Sequence, residues 1–489
     1  MVETPEDPPL EITSARPSPT TTSSDTGSST ESASGQPHAL KRRMTSRHLM
    51  MISFGGVIGT GLFLSSGYTV SQAGPIGTIL AYAVGSAIVY LVMLCLGELS
   101  VAMPLTGAFH VYARRCLGPA TGFVTAILYW LTWTVALGSE FTGAAMIMTD
   151  WFPSTPAWMW AALFILLILG VNLASVRVFA EAESLLSSIK VLAILAFIVL
   201  GALAILGVIP YAGYDSAPLL SNLTADGLFP QGLGAVFTTM LTVNFAFSGT
   251  ELIGITAGET KDPGTTVPRA IHATLWRLVI FFIGSITVMS ALIPWHAAGV
   301  EQSPFVTVFN AMGIPFAGTI MNVVILAAIL SAANSGLYAS TRMLWSLADE
   351  GTVPRVLART NRFGVPAPAM AASMIGGLAA LATSTVAAST VYIVLVSISG
   401  LAVMLVWVSI AASHLSFRRR RRLQGHDDDE LSYRAPGYPW VSLAALVASA
   451  LSCLLIVFDP TQRPALWMTA VFVAACYGLY WAGQRRISA

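Results

Sequence analysis

Ile52-Ser53-Phe54-Gly55-Gly56-Val57-Ile58-Gly59-Thr60-Gly61 opens the first long apolar segment of the chain, and glycines interrupt it. Glycine weakens a helix because it loses the most backbone entropy and packs no side chain. In hydrocarbon a freed amide or carbonyl has no water to turn to. Non-helical backbone persists there only when it is buried in protein or lines a polar cavity. A later apolar segment carries the same kind of interruption, at Asn244-Phe245-Ala246-Phe247-Ser248-Gly249-Thr250-Glu251. Two broken helices at matching places in two halves of a chain point to the binding site of a secondary transporter.

Composition agrees with a membrane setting. Of 489 residues, 55% are hydrophobic and only 10% charged, against about 25% charged in soluble proteins. Mean hydropathy is +0.72. The apolar residues fall into twelve segments, near 48–70, 76–103, 119–149, 157–176, 182–209, 229–258, 267–294, 315–348, 366–385, 387–412, 437–457 and 464–483. Each has roughly the 20 residues needed to cross about 30 Å of hydrocarbon. The expected fold is therefore an all-α, multi-pass membrane protein.

Net charge is +1, which gives no reason to expect a nucleic-acid partner. The distribution of charge says more. With a cytoplasmic N-terminus and twelve crossings, 24 of the 25 Lys and Arg fall on the cytoplasmic side or at its membrane edge, Arg463 being the exception. The positive-inside rule thus predicts cytoplasmic N- and C-termini and contact with the lipid bilayer. Cys95, Cys116, Cys453 and Cys476 sit in or beside apolar segments, without metal-type spacing. They read as small packing residues, and neither a metal nor a cofactor is expected.

Residues 1–43 form a Ser/Thr-rich, acidic tail expected to be disordered and cytoplasmic, because it holds too little apolar surface to offset ordering entropy. A ten-helix transport core is expected over 44–412. A charged cytoplasmic loop follows at 413–436, where Arg418 to Arg422 read as an anchor on anionic headgroups. Helices 11 and 12 and a short tail fill 437–489. The spacing of the two breaks implies a five-plus-five repeat of inverted topology. An external helix is expected near 302–312.

Other functional classes fit less well. There is no His-Glu-x-x-His and no membrane His pair at helical spacing, so an enzyme is not expected. A channel needs an open pore, whereas paired broken helices favour one occluded site. A transport-inactive sensor would bind without accumulating.

The residues also match a known pattern. Ser53-Phe54-Gly55-Gly56-Val57-Ile58-Gly59-Thr60-Gly61-Leu62-Phe63, Ala73-Gly74-Pro75, Gly97-Glu98 followed by Pro104, Phe247-Ser248-Gly249-Thr250-Glu251 through Ala257-Gly258-Glu259, and Leu330-Ser331-Ala332-Ala333-Asn334-Ser335-Gly336-Leu337-Tyr338 carry it. On these motifs the chain resembles the amino acid transporter family of the amino acid–polyamine–organocation superfamily, over roughly 37–485. Ala136-Leu137-Gly138-Ser139-Glu140-Phe141-Thr142 and Asn244 to Glu251 look most like S-methylmethionine permeases, with lysine and arginine permeases next. The resemblance implies a twelve-helix LeuT-type fold, a plasma-membrane location, and import of an amino acid by proton symport.

Several residues follow as candidates. At the first break, Ser53, Gly55, Gly59, Thr60 and Gly61 would receive the substrate. Free amides of a half-helix starting there suit an α-carboxylate. The same glycines also suit close helix packing. At the second break the candidates are Phe245, Phe247, Ser248, Gly249 and Thr250. Tyr129 and Trp133 join Phe245 and Phe247 as aromatic partners for a cation. Glu140 lies within the third segment, where a carboxylate is costly and normally faces the bundle interior. It could pair with a cationic side chain or carry a proton. Lys190 resembles the lysine that replaces a bound sodium ion in proton-coupled relatives; it could equally be a membrane-edge anchor. Ser331, Asn334 and Ser335 would be its polar neighbours. Glu98 and Glu251 are expected to be structural or gating.

Overall fold

The computed structural model describes residues 56–105, 107–174, 176–214, 217–257, 262–300, 302–383, 388–458 and 462–487. The Ser/Thr-rich tail and the start of the first segment, 48–55, with Ser53 and Gly55, lie outside the described residues.

Among the described residues the chain is helical, without strands. A short helix α1 (Thr60–Phe63) leads into α2 (Ser65–Ala102). α2 is two helices joined at a turn, because Gly74 stands at φ +72 and Pro75 follows it. Only glycine enters that backbone region cheaply, and proline cannot continue a helix from the preceding turn. The turn falls where the first and second apolar segments were separated in the sequence. The chain continues through α3 (Phe109–Cys116), α4 (Pro119–Trp151), α5 (Ala157–Ala174) and α6 (Val176–Ile205). The sixth segment is split into α7 (Met240–Phe247) and α8 (Leu252–Ala257). The seventh comprises α9 (Pro263–Arg277), a π-helical stretch over Leu278–Gly284, and α10 (Ser285–Leu292). The external helix appears as α11 (Pro304–Ala311). There follow α12 (Ala317–Asp349), α13 (Ala367–Ser373), α14 (Ile375–Thr383), α15 (Ala388–Leu423), α16 (Trp440–Leu455) and α17 (Arg463–Ile487).

Eight of these stretches are long and apolar enough to cross a membrane, and Ala157–Leu173, Met240–Ile255 and Ala367–Ala379 are shorter apolar helices. These eleven correspond to the expected segments from the second to the twelfth, while the start of the first segment lies outside the described residues. α4 runs through the middle, packed along α12 and α15. Leu166, Leu192, Val199, Val471 and Leu479 are mostly exposed on α5, α6 and α17. Apolar surface of that extent is stable against lipid rather than water. The architecture is a LeuT-type, multi-pass bundle.

One boundary differs from expectation. The tenth segment does not end at 412 but continues as α15 to Leu423, so Arg418 to Arg422 lie on its last turns. Arg418 and Arg421 are buried, which corrects their reading as lipid anchors. Arg418 donates to Glu98 from Nε (2.5 Å) and Nη2 (2.9 Å). Glu98 also accepts from the Ala435 amide (2.7 Å) and lies 3.1 Å from His414 Nε2. A buried carboxylate is tolerated where it is paired and hydrogen-bonded, and Glu98 is both.

Candidate functional site

The two breaks touch. Gly56 to Gly59 are non-helical before α1 begins at Thr60. After α7, Ser248 turns extended (φ −55, ψ 137) and Gly249 stands at φ +101. A Cβ on Gly249 would lie 2.7 Å from the Gly56 carbonyl oxygen. One on Gly61 would lie 2.6 Å from Ala246 Cα, in α7. One on Gly59 would meet Ala332 Cβ at 2.6 Å and Glu140 Oε1 at 2.7 Å. These glycines therefore let the broken backbones pack on each other and on α4 and α12. Of the two alternatives open in the sequence, close packing is what the geometry displays.

Glu140 sits at the start of α1. Its carboxylate accepts from the Thr60 amide (3.2 Å) and the Thr60 hydroxyl (3.0 Å). The first-turn amides of a helix lack intrahelical acceptors; a protein carboxylate takes this one. Tyr392 on α15 holds the other side, donating to the Thr60 carbonyl (3.1 Å) and pairing with Ser65 Oγ (2.6 Å).

Lys190 is fully buried on α6, which rules out a membrane-edge anchor. It interacts electrostatically with Glu140 and with Glu183. Glu183 was absent from the sequence candidates. It is fully buried and accepts from Ser331 (2.6 Å) and Asn334 (3.2 Å) on α12. Ser331 and Asn334 thus do face α6, but through this carboxylate. Asn334 Oδ1 accepts from Asn172 on α5 at 2.7 Å. Ser335 is buried, and its hydroxyl has no hydrogen-bond partner among the described residues. The signal for Glu183 was its spacing: Glu183, Ser187 and Lys190 recur on one helical face. The expected start of the segment at 182 placed it at the membrane edge and hid it.

At the second break, Glu251 Oε1 accepts from the Gly249 amide (3.0 Å), and Oε2 accepts from Trp407 Nε1 (3.4 Å). Tyr129 and the buried Arg277 also act on Glu251. Arg277 closes α9 directly before the π-helical stretch. Trp133 stands between α12 and the break: a Cβ on Gly336 would lie 2.4 Å from its ring and one on Gly249 3.4 Å. The Ser248 hydroxyl is buried at this point with no hydrogen-bond partner among the described residues, and Thr250 is buried beside it. Phe245 packs near Gly400 of α15. Phe247 belongs to an aromatic cluster with Tyr82 (centroids 5.7 Å) and Phe282 (4.8 Å), on the side of α2 and the π-helical stretch. A cleft of about 490 Å³ lined by Asp150, Gln302 and Asn322 lies at the far ends of α4 and α12, away from the breaks. Among the described residues the chemistry gathers in the buried interior: Glu140 at the first break, Lys190 and Glu183 on α6 beside α12, and Glu251, Arg277 and two aromatics beside the second break.

The comparisons with known proteins bear on the same region. The family model described as "Amino acid permease" matches residues 48–488. A protein of Bacillus subtilis (strain 168) named "Putative histidine permease" is 52% identical over 442 residues, covering 90% of this chain and 93% of its own. The lysine-specific permease LysP of Escherichia coli (strain K12) is 41% identical over 435 residues, covering 87% and 88%. Among solved structures, MhsT in complex with L-phenylalanine superposes with a TM-score of 0.59 at 13% identity, covering 84% of this chain and 98% of that one. That likeness concerns the fold alone. The relatives do not single out S-methylmethionine permeases, so the resemblance narrows to the wider family. On these matches, the chain belongs to the amino acid permease family of multi-pass membrane transporters.

Proposed function

We propose that the protein imports an amino acid with a cationic side chain across the plasma membrane by proton symport, with both termini cytoplasmic. Lysine and histidine, named for relatives, head the candidate substrates, histidine in the protonated form that it takes below about pH 6.5, and S-methylmethionine belongs to the same cationic class. The observation that carries this reading is the buried Glu140, hydrogen-bonded to Thr60 at the first break and in electrostatic reach of Lys190. A carboxylate at that depth is costly unless matched by positive charge, and a substrate cation or a proton supplies it.

In this reading the ten-helix core, 44–412, performs transport, with helices 11 and 12 outside it. The substrate binds between the breaks. Its α-carboxylate takes the first-turn amide of Gly61, next to the Thr60 amide already occupied by Glu140. Its α-ammonium faces carbonyls of the unwound stretches, and Ser248 offers a hydroxyl. The side-chain cation faces Glu140, with Trp133 and Tyr129 as aromatic walls. Phe247 has a packing role. Lys190 stands where a bound cation would hold the first break, and its charge changes through the cycle. Glu251 and Glu98 hold the inner halves of the helices.

The test is competition uptake in proteoliposomes under an imposed pH gradient, with histidine, lysine, arginine, S-methylmethionine and neutral amino acids as competitors. Strong competition by the cationic set is expected. Competition confined to neutral amino acids would contradict the assignment. The second reading is an exchanger of cationic amino acids. Uptake that needs internal amino acid and ignores the pH gradient would favour it.

A further inference from the structure

Glu183 has no role in the reading above, yet it is fully buried and lies about two turns before Lys190 on one face of α6. Its carboxylate accepts from Ser331 (2.6 Å), Asn334 (3.2 Å) and Ser187 (3.4 Å). Lys190 on the same helix acts on it electrostatically and also interacts with Glu140 of α4. From α12 and α5 the groups in this network are the neutral Ser331, Asn334 and Asn172. The set therefore holds two carboxyl groups and one amine in a buried interior. Charges at such depth are stable only when balanced. With all three ionised the set is one positive charge short, and a single proton makes it neutral.

The two carboxylates face different ways. Glu140 binds Thr60 at the first break. Glu183 faces α12, where Asn334 links it to Asn172. Asn172 also lines a cavity of about 20 Å³ with Tyr338, Thr341, Arg342, Val365 and Pro366, next to the loop between α12 and α13. That volume holds about one water. A polar thread thus runs from Glu183, on which Lys190 acts electrostatically, through two asparagines to the part of α12 carrying Arg342, which is cytoplasmic in the proposed orientation.

We propose that Glu183 is the exit station for the transported proton. The Lys190 ammonium gives a proton to the Glu183 carboxylate. One N–H bond breaks and one O–H bond forms, leaving a neutral amine and a neutral acid. The acid then releases its proton to water entering by the Asn172 cavity and returns to carboxylate. Glu140 holds the extra proton at the outset, so release leaves the set with a single unmatched negative charge. Glu140 then recharges Lys190 from the side of the first break and is itself reprotonated in the next cycle. The inference rests on proton coupling through Lys190.

The experiment compares wild type, Glu183→Gln, Glu183→Asp and Asn172→Leu in liposomes. Each is assayed for accumulation driven by a proton gradient, for substrate counterflow at equal pH, and for the pH dependence of accumulation. In Glu183→Gln, accumulation should fall by about tenfold or more while counterflow stays within about twofold, and the pH profile should flatten. Glu183→Asp should restore part of the accumulation. Asn172→Leu leaves every charge in place and should slow accumulation without slowing counterflow. Wild-type accumulation and pH profile in Glu183→Gln would overturn the proposal. So would loss of counterflow in step with accumulation without rescue by Asp, which marks a structural carboxylate. Should Glu183→Gln not fold, undiminished accumulation in Asn172→Leu overturns the exit route. Wild type that ignores the proton gradient defeats the coupling reading itself, which separates the two failures.

Discussion

At the scale of single residues, Glu140 and Gly249 carry the most testable content. Glu140 accepts two hydrogen bonds from Thr60 and shares the field of Lys190. Glu140→Gln keeps the shape and removes the charge. Affinity for cationic substrates should fall by roughly 10- to 100-fold, about 1.4–2.8 kcal/mol, and affinity for neutral amino acids by less. Competition binding in detergent measures both, and an equal loss for all substrates contradicts the cation-pairing role. Gly249 combines φ +101 with a Cβ position 2.7 Å from the Gly56 carbonyl oxygen. Gly249→Ala should abolish uptake and cost about 1–3 kcal/mol for the backbone strain, with the clash added. Gly213→Ala is the control: φ is +88 but nothing lies within 4 Å of its Cβ. It should transport normally with a smaller loss of thermal stability. Equal phenotypes would show that strain, and not contact between the breaks, matters. The sequence singled out Gly59, Gly61 and Gly249 as substrate-binding positions, and the structure displays close packing at each of them. It could not show that backbone and Glu140 fill the space beside them, because that depends on which helices meet. Glu183 escaped notice for a similar reason: depth in a membrane is set by neighbouring helices, and a few residues' error in the start of a segment moves a carboxylate from edge to core.

At the scale of elements, the places where helices stop were the most legible. The Gly74-Pro75 turn, the Ser248-Gly249 break and α11 follow from glycine and proline chemistry that acts locally. The length of α15 was not legible, because arginines read as the end of an apolar segment. Buried Arg418 finds Glu98 on α2, and only the tertiary fold brings the two together. A second inter-element tie lies outside the membrane-spanning part. Glu350, capping α12, meets Arg114 (2.7 Å) and His110 (3.3 Å) of α3. Burial alone would raise the Glu350 carboxyl, but His110 and Arg114 outweigh it and hold it below its ordinary value of 4.5. A lowered carboxylate stabilises the folded state above its ordinary value, and the contribution is lost as pH falls through the folded one. Glu350→Gln should therefore lower the melting temperature at pH 7, with a cost of about 0.5–1 kcal/mol for a partly solvated pair. The difference from wild type should shrink as the pH drops well below 4.5. A gap independent of pH would show that the side chain acts by packing.

At the scale of the whole molecule, the described residues form a helical bundle with a group of ionisable side chains buried inside it. Its outer surface on α5, α6 and α17 is apolar, while Glu140, Glu183, Lys190, Glu251 and Arg277 are withdrawn from it. Burying so many charged groups has no evident benefit for stability. Their cost is intelligible if charge is what the molecule moves. The composition and the placement of Lys and Arg made the membrane class legible from the sequence. The pairing of those buried charges was not, because it joins helices far apart in the chain. The most direct test of the account is substrate accumulation by proteoliposomes carrying wild type or Lys190→Ala, with proton and sodium gradients imposed separately. A proton gradient should drive accumulation in wild type, sodium should be dispensable, and Lys190→Ala should lose accumulation while still exchanging substrate. Sodium-dependent uptake, or an unchanged response to the proton gradient in Lys190→Ala, would contradict it.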